Sequence, residues 1–332
     1  MNMAKILPAS ASVLLLACGF LSAAQTAPTQ LTRSLLVNVL DRNGNAVRDL
    51  TKDDFRVKVN GHPAALLDAH YSLAPRRIVV LLDMSGSMAG ETEKNKKWRI
   101  ARESVEDFLT ETPAEVQVAL VTFSSKIHDI LDFSQGRSSI IEWLKRGPSQ
   151  RSDIKGTTPF FDAAAAAAKL LEPALPGDSI YAITDGGDNS SRISKTAVKQ
   201  RLLQSQIRLF VFLFAEPTPT EEERSGVESV MELARDTGGF VFGVSGHPST
   251  GGASFLPSWS FEYDYDEHTR ERIRLYMQAL NIQVNGFYTL HLDALLQPGK
   301  AGKVSLNIVD GKGIARKDVA FTYSTLLPPQ PK

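Results

Sequence analysis

Three side chains in "LLDMSGSM", residues 81–88, offer oxygen at alternate positions: the Asp83 carboxylate and the Ser85 and Ser87 hydroxyls. Gly86 stands between the serines, and a residue without a Cβ lets the loop turn until all three oxygens point at one centre. Two further stretches can add to that centre. "GTTPFFDA" brings Thr158 just ahead of a helix predicted from near Pro159, and "AITDGGDNS" brings Asp185. No histidine or cysteine ligand stands nearby, so the implied cation is hard, Mg2+ before Mn2+ or Ca2+. Five side chains and one water give the six oxygens of an octahedral ion, at about 2.1 Å from each. Taken singly, each of these residues is an ordinary helix cap or turn former; their joint occurrence, in order, is what points to a metal site.

Oxygens held that closely need stiff supports. "IVVLL", "VQVALVTF", "SIYAIT" and "IRLFVFLF" are near-continuous apolar runs of strand length, as expected of strands buried on both faces of a mainly parallel sheet. Between them, Trp98, Ala101, Val105 and Phe108 recur at helical spacing, as do Val227, Val230, Met231 and Ala234, and then Ile273, Met277 and Leu280. Strand and helix thus alternate over residues 77–281, which predicts a doubly wound α/β domain. In such a sheet, ligands sit in the crevice outside the carboxyl ends of the strands, where Asp83 and Asp185 fall. The alanine run over 163–168 reads as a helix pressed against the sheet, because alanine favours helix and lets backbones approach.

The flanks have a different texture. Residues 31–73 alternate with period two: Phe55, Val57 and Val59 share a face, and Asn60-Gly61 supplies a hairpin turn. Asn43-Gly44 lies in "DRNGN", which lacks the spacing and the downstream glutamate of a calcium loop and is read as a turn. Alternation returns over 284–325 in "FYTLHL", "KVSLNIV" and "VAFTY", before a loose "LLPPQPK" tail. Either flank alone buries too little to be stable, so the two are expected to pair into one small β-sandwich-like unit with the α/β domain inserted between them.

At 332 residues the chain suits about two domains of roughly 150 residues each. Lys plus Arg and Asp plus Glu both total 37, so no basic footprint argues for nucleic acid. Residues 1–24 read as an export signal, with Lys5 ahead of an apolar run through Val13 and Leu16 and with Ser22, Ala23 and Ala24 before the expected cleavage. The product is expected outside the cytoplasm: periplasmic, extracellular or attached to the envelope. No stretch reaches the roughly 20 apolar residues of a membrane span, so no transmembrane helix is expected. The one cysteine, Cys18, lies within "LLAC", which also resembles a loose bacterial lipobox; it is either removed with the signal or acylated as a lipid anchor. The folded part then has no disulfide and no thiolate metal site.

"DMSGSM", the threonine before proline in "GTTPFFDA" and the aspartate of "ITDGGD" resemble the three parts of the metal-ion-dependent adhesion site of von Willebrand factor A domains. Asp83, Ser85 and Ser87 satisfy the family's Asp-x-Ser-x-Ser pattern in full, and Thr158 and Asp185 match its remaining positions. Thr157 stands where many members have a second glycine, which leaves open whether Thr157 or Thr158 faces the ion. "ARDTGGFVFGV" is similar to the segment before the family's last strand, with Gly238 and Gly239 allowing close approach. The flanking "VLDRNGNAVRDLTKDDFRV" and "NGFYTLHL" look like the borders of secreted bacterial VWFA-related proteins. The resemblance implies a cation-dependent protein-binding module, for adhesion or assembly, whose ion takes an Asp or Glu carboxylate from a partner. The charges agree: two carboxylates balance a divalent ion, and neutral hydroxyls leave it open to one more anionic oxygen.

Two rivals remain. An enzyme, such as a metal-dependent hydrolase, is disfavoured because Gly-x-Ser-x-Gly, His-Glu-x-x-His and phosphate-loop motifs are missing and the six histidines are scattered without ligand spacing, as surface or strand residues. Asp188 is the nearby acid that could serve as a general base, and it reads as a solvated loop residue. In the other rival, an envelope component, the metal only staples loops. "FEYDYDEHTRER" could be a docking strip but reads as a helix start, with Asp264, Asp266 and Glu267 at its positive end; Arg192, Lys195, Lys199 and Arg201 read as a solvated basic face.

Overall fold

The computed structural model describes residues 32–73, 76–89, 96–147, 156–214, 221–244, 267–294, 296–297 and 299–329. The export segment with Cys18 lies outside the described residues, as do Asp264 and Asp266. In chain order, the first flank gives β1 (Thr32–Asp41), β2 (Phe55–Val59), β3 (His62–Pro63) and β4 (Ala65–Ser72). The middle gives β5 (Arg77–Asp83), α1 (Gly86–Ala89), α2 (Lys96–Glu111), β6 (Gln117–Phe123), β7 (Ile127–Leu131), α3 (Gly136–Arg146) and α4 (Phe160–Leu170). It continues with β8 (Ser179–Thr184), α5 (Lys195–Gln204), β9 (Arg208–Phe214), α6 (Glu221–Asp236), β10 (Val241–Val244) and α7 (Glu267–Asn285). The second flank gives β11 (Phe287–Asp293), β12 (Gly302–Ile308), β13 (Val319–Tyr323) and β14 (Leu326–Leu327).

The central sheet runs β10-β9-β8-β5-β6-β7, parallel except for β7. Its strands are apolar without interruption because both faces are covered. Ile78, Val80 and Leu82 of β5 face one core with α2, α3 and α7, while Val79 and Leu81 face another with α4, α5 and α6. Each such side chain contributes about 1.5–3 kcal/mol by leaving water. On α4, Ala163, Ala164, Ala167 and Ala168 are buried against β5, β6 and β8, so small side chains bring this helix close to the sheet and its N-terminus up to the sheet's carboxyl edge.

The flanks build two antiparallel sheets, β13-β1-β11-β4 and β14-β12-β2-β3, and each sheet takes strands from both ends of the chain. Val37, Val57, Tyr288, Leu290 and Leu306 fill the space between them. The hairpin of β2 and β3 turns at Asn60 and Gly61, with φ of 50° and 83°, as a two-residue turn of that hand requires. Asp41 accepts the backbone N–H groups of Asn43 and Asn45, both at 2.8 Å, so it closes the "DRNGN" turn.

Beneath the central sheet, Arg208 forms the joint. Wholly enclosed, it donates to Asn38 Oδ1 at 2.8 Å and to the Gln283 and Val284 carbonyls at 3.0 and 3.2 Å, linking β9, β1 and the end of α7. Its guanidinium carbon lies 4.6 Å from the centre of the Phe287 ring. Burial, helped by the charge of Arg76, lowers its pKa to about 9. A second joint lies at Gly238, where φ is +84° and an added Cβ would come 2.7 Å from the Ser324 amide nitrogen. At Gly239 an added Cβ would strike the Leu209 carbonyl, so both glycines do serve close approach.

The basic stretch on α5 corrects the sequence reading. Lys195 and Lys199 reach Glu232 of α6 at 2.7 and 2.6 Å, Lys199 also reaches Asp236 at 3.0 Å, and Arg201 pairs with Glu172 at 2.6 Å. These cations link neighbouring elements rather than forming a merely solvated face, because α6 presents acids to α5.

Candidate functional site

Three segments meet at the carboxyl edge of the central sheet. Asp83 ends β5 and is wholly buried; its Oδ1 accepts the Ser85 N–H at 2.8 Å, and its Oδ2 accepts the Thr184 hydroxyl at 2.6 Å. Ser85 is also buried, while Ser87, one position into α1, is exposed, and their hydroxyl oxygens lie 3.1 Å apart. The Asp-x-Ser-x-Ser stretch is therefore a compact turn with Asp83 and Ser85 inside and Ser87 outside.

The other two segments interlock. The Thr158 N–H donates to Asn189 Oδ1 at 2.7 Å, and the Asn189 N–H donates back to the Thr158 carbonyl at 3.1 Å. Thr158 is buried and Thr157 exposed. A Cβ added to Gly187 would come 4.0 Å from both Cβ and Oγ1 of Thr158, so the Thr158 side chain lies beside the loop following β8. Asp185 opens that loop, with its side chain 12% exposed and its Oδ2 3.8 Å from Lys97 Nζ on α2.

Electrostatics tie the two carboxylates together. Burial, then the charge of Asp185, pushes the Asp83 carboxyl up to about 7, against the bonds from Thr184 and Ser85 that favour its ionised form. The two carboxylates thus repel each other beside the Ser85 and Thr184 hydroxyls, with Lys97 of the fold meeting part of the charge on Asp185. The donors are all oxygen, which fits a hard divalent ion and disfavours zinc or copper.

Several contributors went unread in the sequence. Thr184 fixes the Asp83 carboxylate, and its signal was a hydroxyl at the end of an otherwise apolar strand. Asn189 and Lys97 carried no signal, since their partners lie on other elements. Asp188 differs from the expected solvated acid: its Oδ2 accepts the Phe161 N–H at 2.8 Å and the Ser191 hydroxyl at 2.5 Å, so it satisfies the first turn of α4. Among the described residues, His70 and His291 do come together, with Asp68, despite their separation in sequence.

Residues 78–187, which run from β5 through β8 and include all five oxygen-bearing positions, match the von Willebrand factor type A domain family. Among solved structures, BatB from Bacteroides thetaiotaomicron is similar at 14% identity and a TM-score of 0.42, over 62% of this chain and 98% of that one. An aerotolerance-related membrane protein from Bacteroides fragilis is similar at 17% identity and 0.42, over 63% and 98%. A von Willebrand factor type A structure from Catenulispora acidiphila is similar at 12% identity and 0.42, over 89% and 75%. A search of curated proteins gives no match.

Proposed function

From the premise that the chain carries a von Willebrand factor A domain, we propose that Asp83, Ser85, Ser87, Thr158 and Asp185 hold a divalent ion, magnesium before manganese or calcium. Through that ion the protein binds an Asp or Glu side chain of a partner protein. The observation that carries the reading is geometric: buried Asp83 and Ser85, the Ser87 hydroxyl 3.1 Å from that of Ser85, and Thr158 packed against the loop that Asp185 opens. When bound, the ion supplies positive charge and an open coordination place for a carboxylate. The chain's own residues do the rest. Thr184 and the Ser85 amide orient Asp83, Asn189 holds Thr158 against the Asp185 loop, and Asp188 secures the start of α4.

Binding without turnover is the class this arrangement favours, because Asp188, the acid that could act as a base, is held by a backbone N–H and a hydroxyl. A metal acting only as a loop staple is the weaker reading. The loops already hold one another through Thr158 and Asn189, so they have less need of an ion to stay in place. We assign the protein to the envelope or the secreted fraction from its first 24 residues, with Cys18 as the position where a lipid anchor would attach. Among the described residues no helix is long and apolar enough to cross a membrane.

The test is a pull-down from envelope extract with magnesium or with chelator, using wild type and Asp83→Ala. Capture of a partner should need magnesium and be lost in Asp83→Ala, while both proteins keep their secondary structure by circular dichroism. Capture that survives chelation would overturn the proposal. Loss of thermal stability in step with loss of capture would favour the staple.

A further inference from the structure

A second constellation lies on the outer sheet, away from the oxygen crevice. Asp68 and His70 sit two apart on β4 and therefore share a face, and His291 of β11 pairs directly opposite Asp68. One donor atom from each lies within 4.8 Å of the others, with Asp68 Oδ2 3.1 Å from His70 Nδ1. The two imidazole rings stand 5.7 Å apart, centre to centre, and 31° from parallel.

Two features aim these side chains. The register steps from His291 opposite Asp68 to Leu292 opposite Leu66, which leaves Leu67 as an extra residue in β4. This bulge resets the alternation: Leu66 and Ala69 pack on the sandwich core, while Leu67, Asp68 and His70 are exposed. From the neighbouring β1, Ser34 Oγ lies 3.3 Å from His291 Nδ1, which leaves Nε2 of that ring for another partner. A metal-bound histidine is commonly held through its other nitrogen in this way, which fixes ring orientation and tautomer.

We propose that Asp68, His70 and His291 form a site for a borderline divalent transition ion, zinc first, which joins the strand β4 of one flank to the strand β11 of the other. Two imidazoles and a carboxylate suit zinc, with copper and nickel as competitors, and do not suit magnesium or calcium. Donors around a tetrahedral ion at about 2.0–2.1 Å stand about 3.4 Å from each other, so the cluster closes on the ion by small side-chain rotations. Asp68 and His70 are exposed, which leaves an entry path and room for a water or a fourth ligand. This inference does not depend on the function proposed for the oxygen crevice.

The experiment is calorimetric titration of tag-free full-length protein with Zn2+ in buffer saturated with Mg2+, on wild type, Asp83→Ala, His70→Gln, His291→Gln and Ser34→Ala. Wild type and Asp83→Ala should each take up one zinc with the same affinity. His70→Gln and His291→Gln should lose about 100-fold or more, and Ser34→Ala about 10-fold. Electron paramagnetic resonance of the Cu2+ form should show two coupled nitrogens, falling to one in either histidine variant. Ser34, His70 and His291 are not in the core, Asp83 is buried, and circular dichroism checks that each variant is folded. No zinc uptake at micromolar concentration, uptake unchanged in both histidine variants, or uptake abolished by Asp83→Ala would each overturn the proposal.

Discussion

The central sheet and the outer sandwich present their polar side chains in opposite ways. In the central region, Asp83 and Ser85 follow a strand buried on both faces, so they are driven into the protein along with it. Two acids collect there, Lys97 reaches Asp185, and burial together with the charge of Asp185 pushes the Asp83 carboxyl up to about 7. In the sandwich β2 and β12 alternate buried and exposed residues, and on β4, the edge strand of the other sheet, Asp68 and His70 are exposed to water. The difference teaches that layer architecture sets the electrostatic strain a site can store. Loops at the carboxyl edge of a doubly covered sheet can hold carboxylates under stress, whereas an exposed edge strand such as β4 holds solvated ones.

The most severe way to break this contrast is to cut the joint between the regions. Arg208→Ala removes the donor shared by Asn38 Oδ1 and the Gln283 and Val284 carbonyls and leaves them buried without it. The expected loss is about 3–5 kcal/mol in urea unfolding. If the regions fold as one unit the transition stays single at a lower midpoint. If the sandwich folds independently, the variant unfolds in two steps, the outer sheets reported by Tyr288 and the central ones by Trp143.

The same contrast explains what could be read in advance. "IVVLL" was legible because burial on both faces removes any need for polar residues, and "FRVKV" because burial on one face imposes alternation. The sequence singles out Asp83, Ser85 and Ser87 because a single turn gathers them, and Thr158 and Asp185 because each stands next to a predicted element; that they hold an ion belongs to the proposed function. Thr184 was hidden inside its strand, and Asn189 and Lys97 act on partners that only folding brings near. His70 and His291 meet through pairing between the two ends of the chain, after a bulge that period-two reading does not register. The α5 cations were misread because helical spacing shows which residues share a face but not which acids the next helix presents, here Glu232 and Asp236.

A pH scan sharpens the comparison, with a somewhat smaller effect. The folded pKa of Asp83 is raised from 3.8 to about 7, so the folded protein holds a proton that the unfolded chain releases. With metal chelated, stability from this group is therefore fully present below about pH 4 and is lost as pH rises towards 7. The cost is at most about 4 kcal/mol, because each pKa unit corresponds to about 1.4 kcal/mol. Thermal melts should fall across that window in wild type and stay flatter in Asp83→Asn, and magnesium should restore stability near pH 7. Equal slopes in the two proteins would mean that Asp83 is not under stress, and the contrast with the solvated sandwich would fail.

The smallest effect probes the surface that both regions share with solvent. Hydrogen bonds from Lys195 and then Lys199 lower the Glu232 pKa to about 2, yet its side chain stays 33% exposed, so water and salt screen much of the interaction. The sign is opposite to that of Asp83. Stabilisation from Glu232 is present above its ordinary value of 4.5 and is lost as pH falls through about 2. Glu232→Gln should therefore lower stability at neutral pH by less than about 1 kcal/mol, and by still less in high salt, as measured by a double-mutant cycle with Lys199→Met. A larger, salt-resistant coupling would show that the groove between α5 and α6 behaves like the interior. The line between stressed and solvated charge would then have to be drawn by helix packing rather than by the sheets.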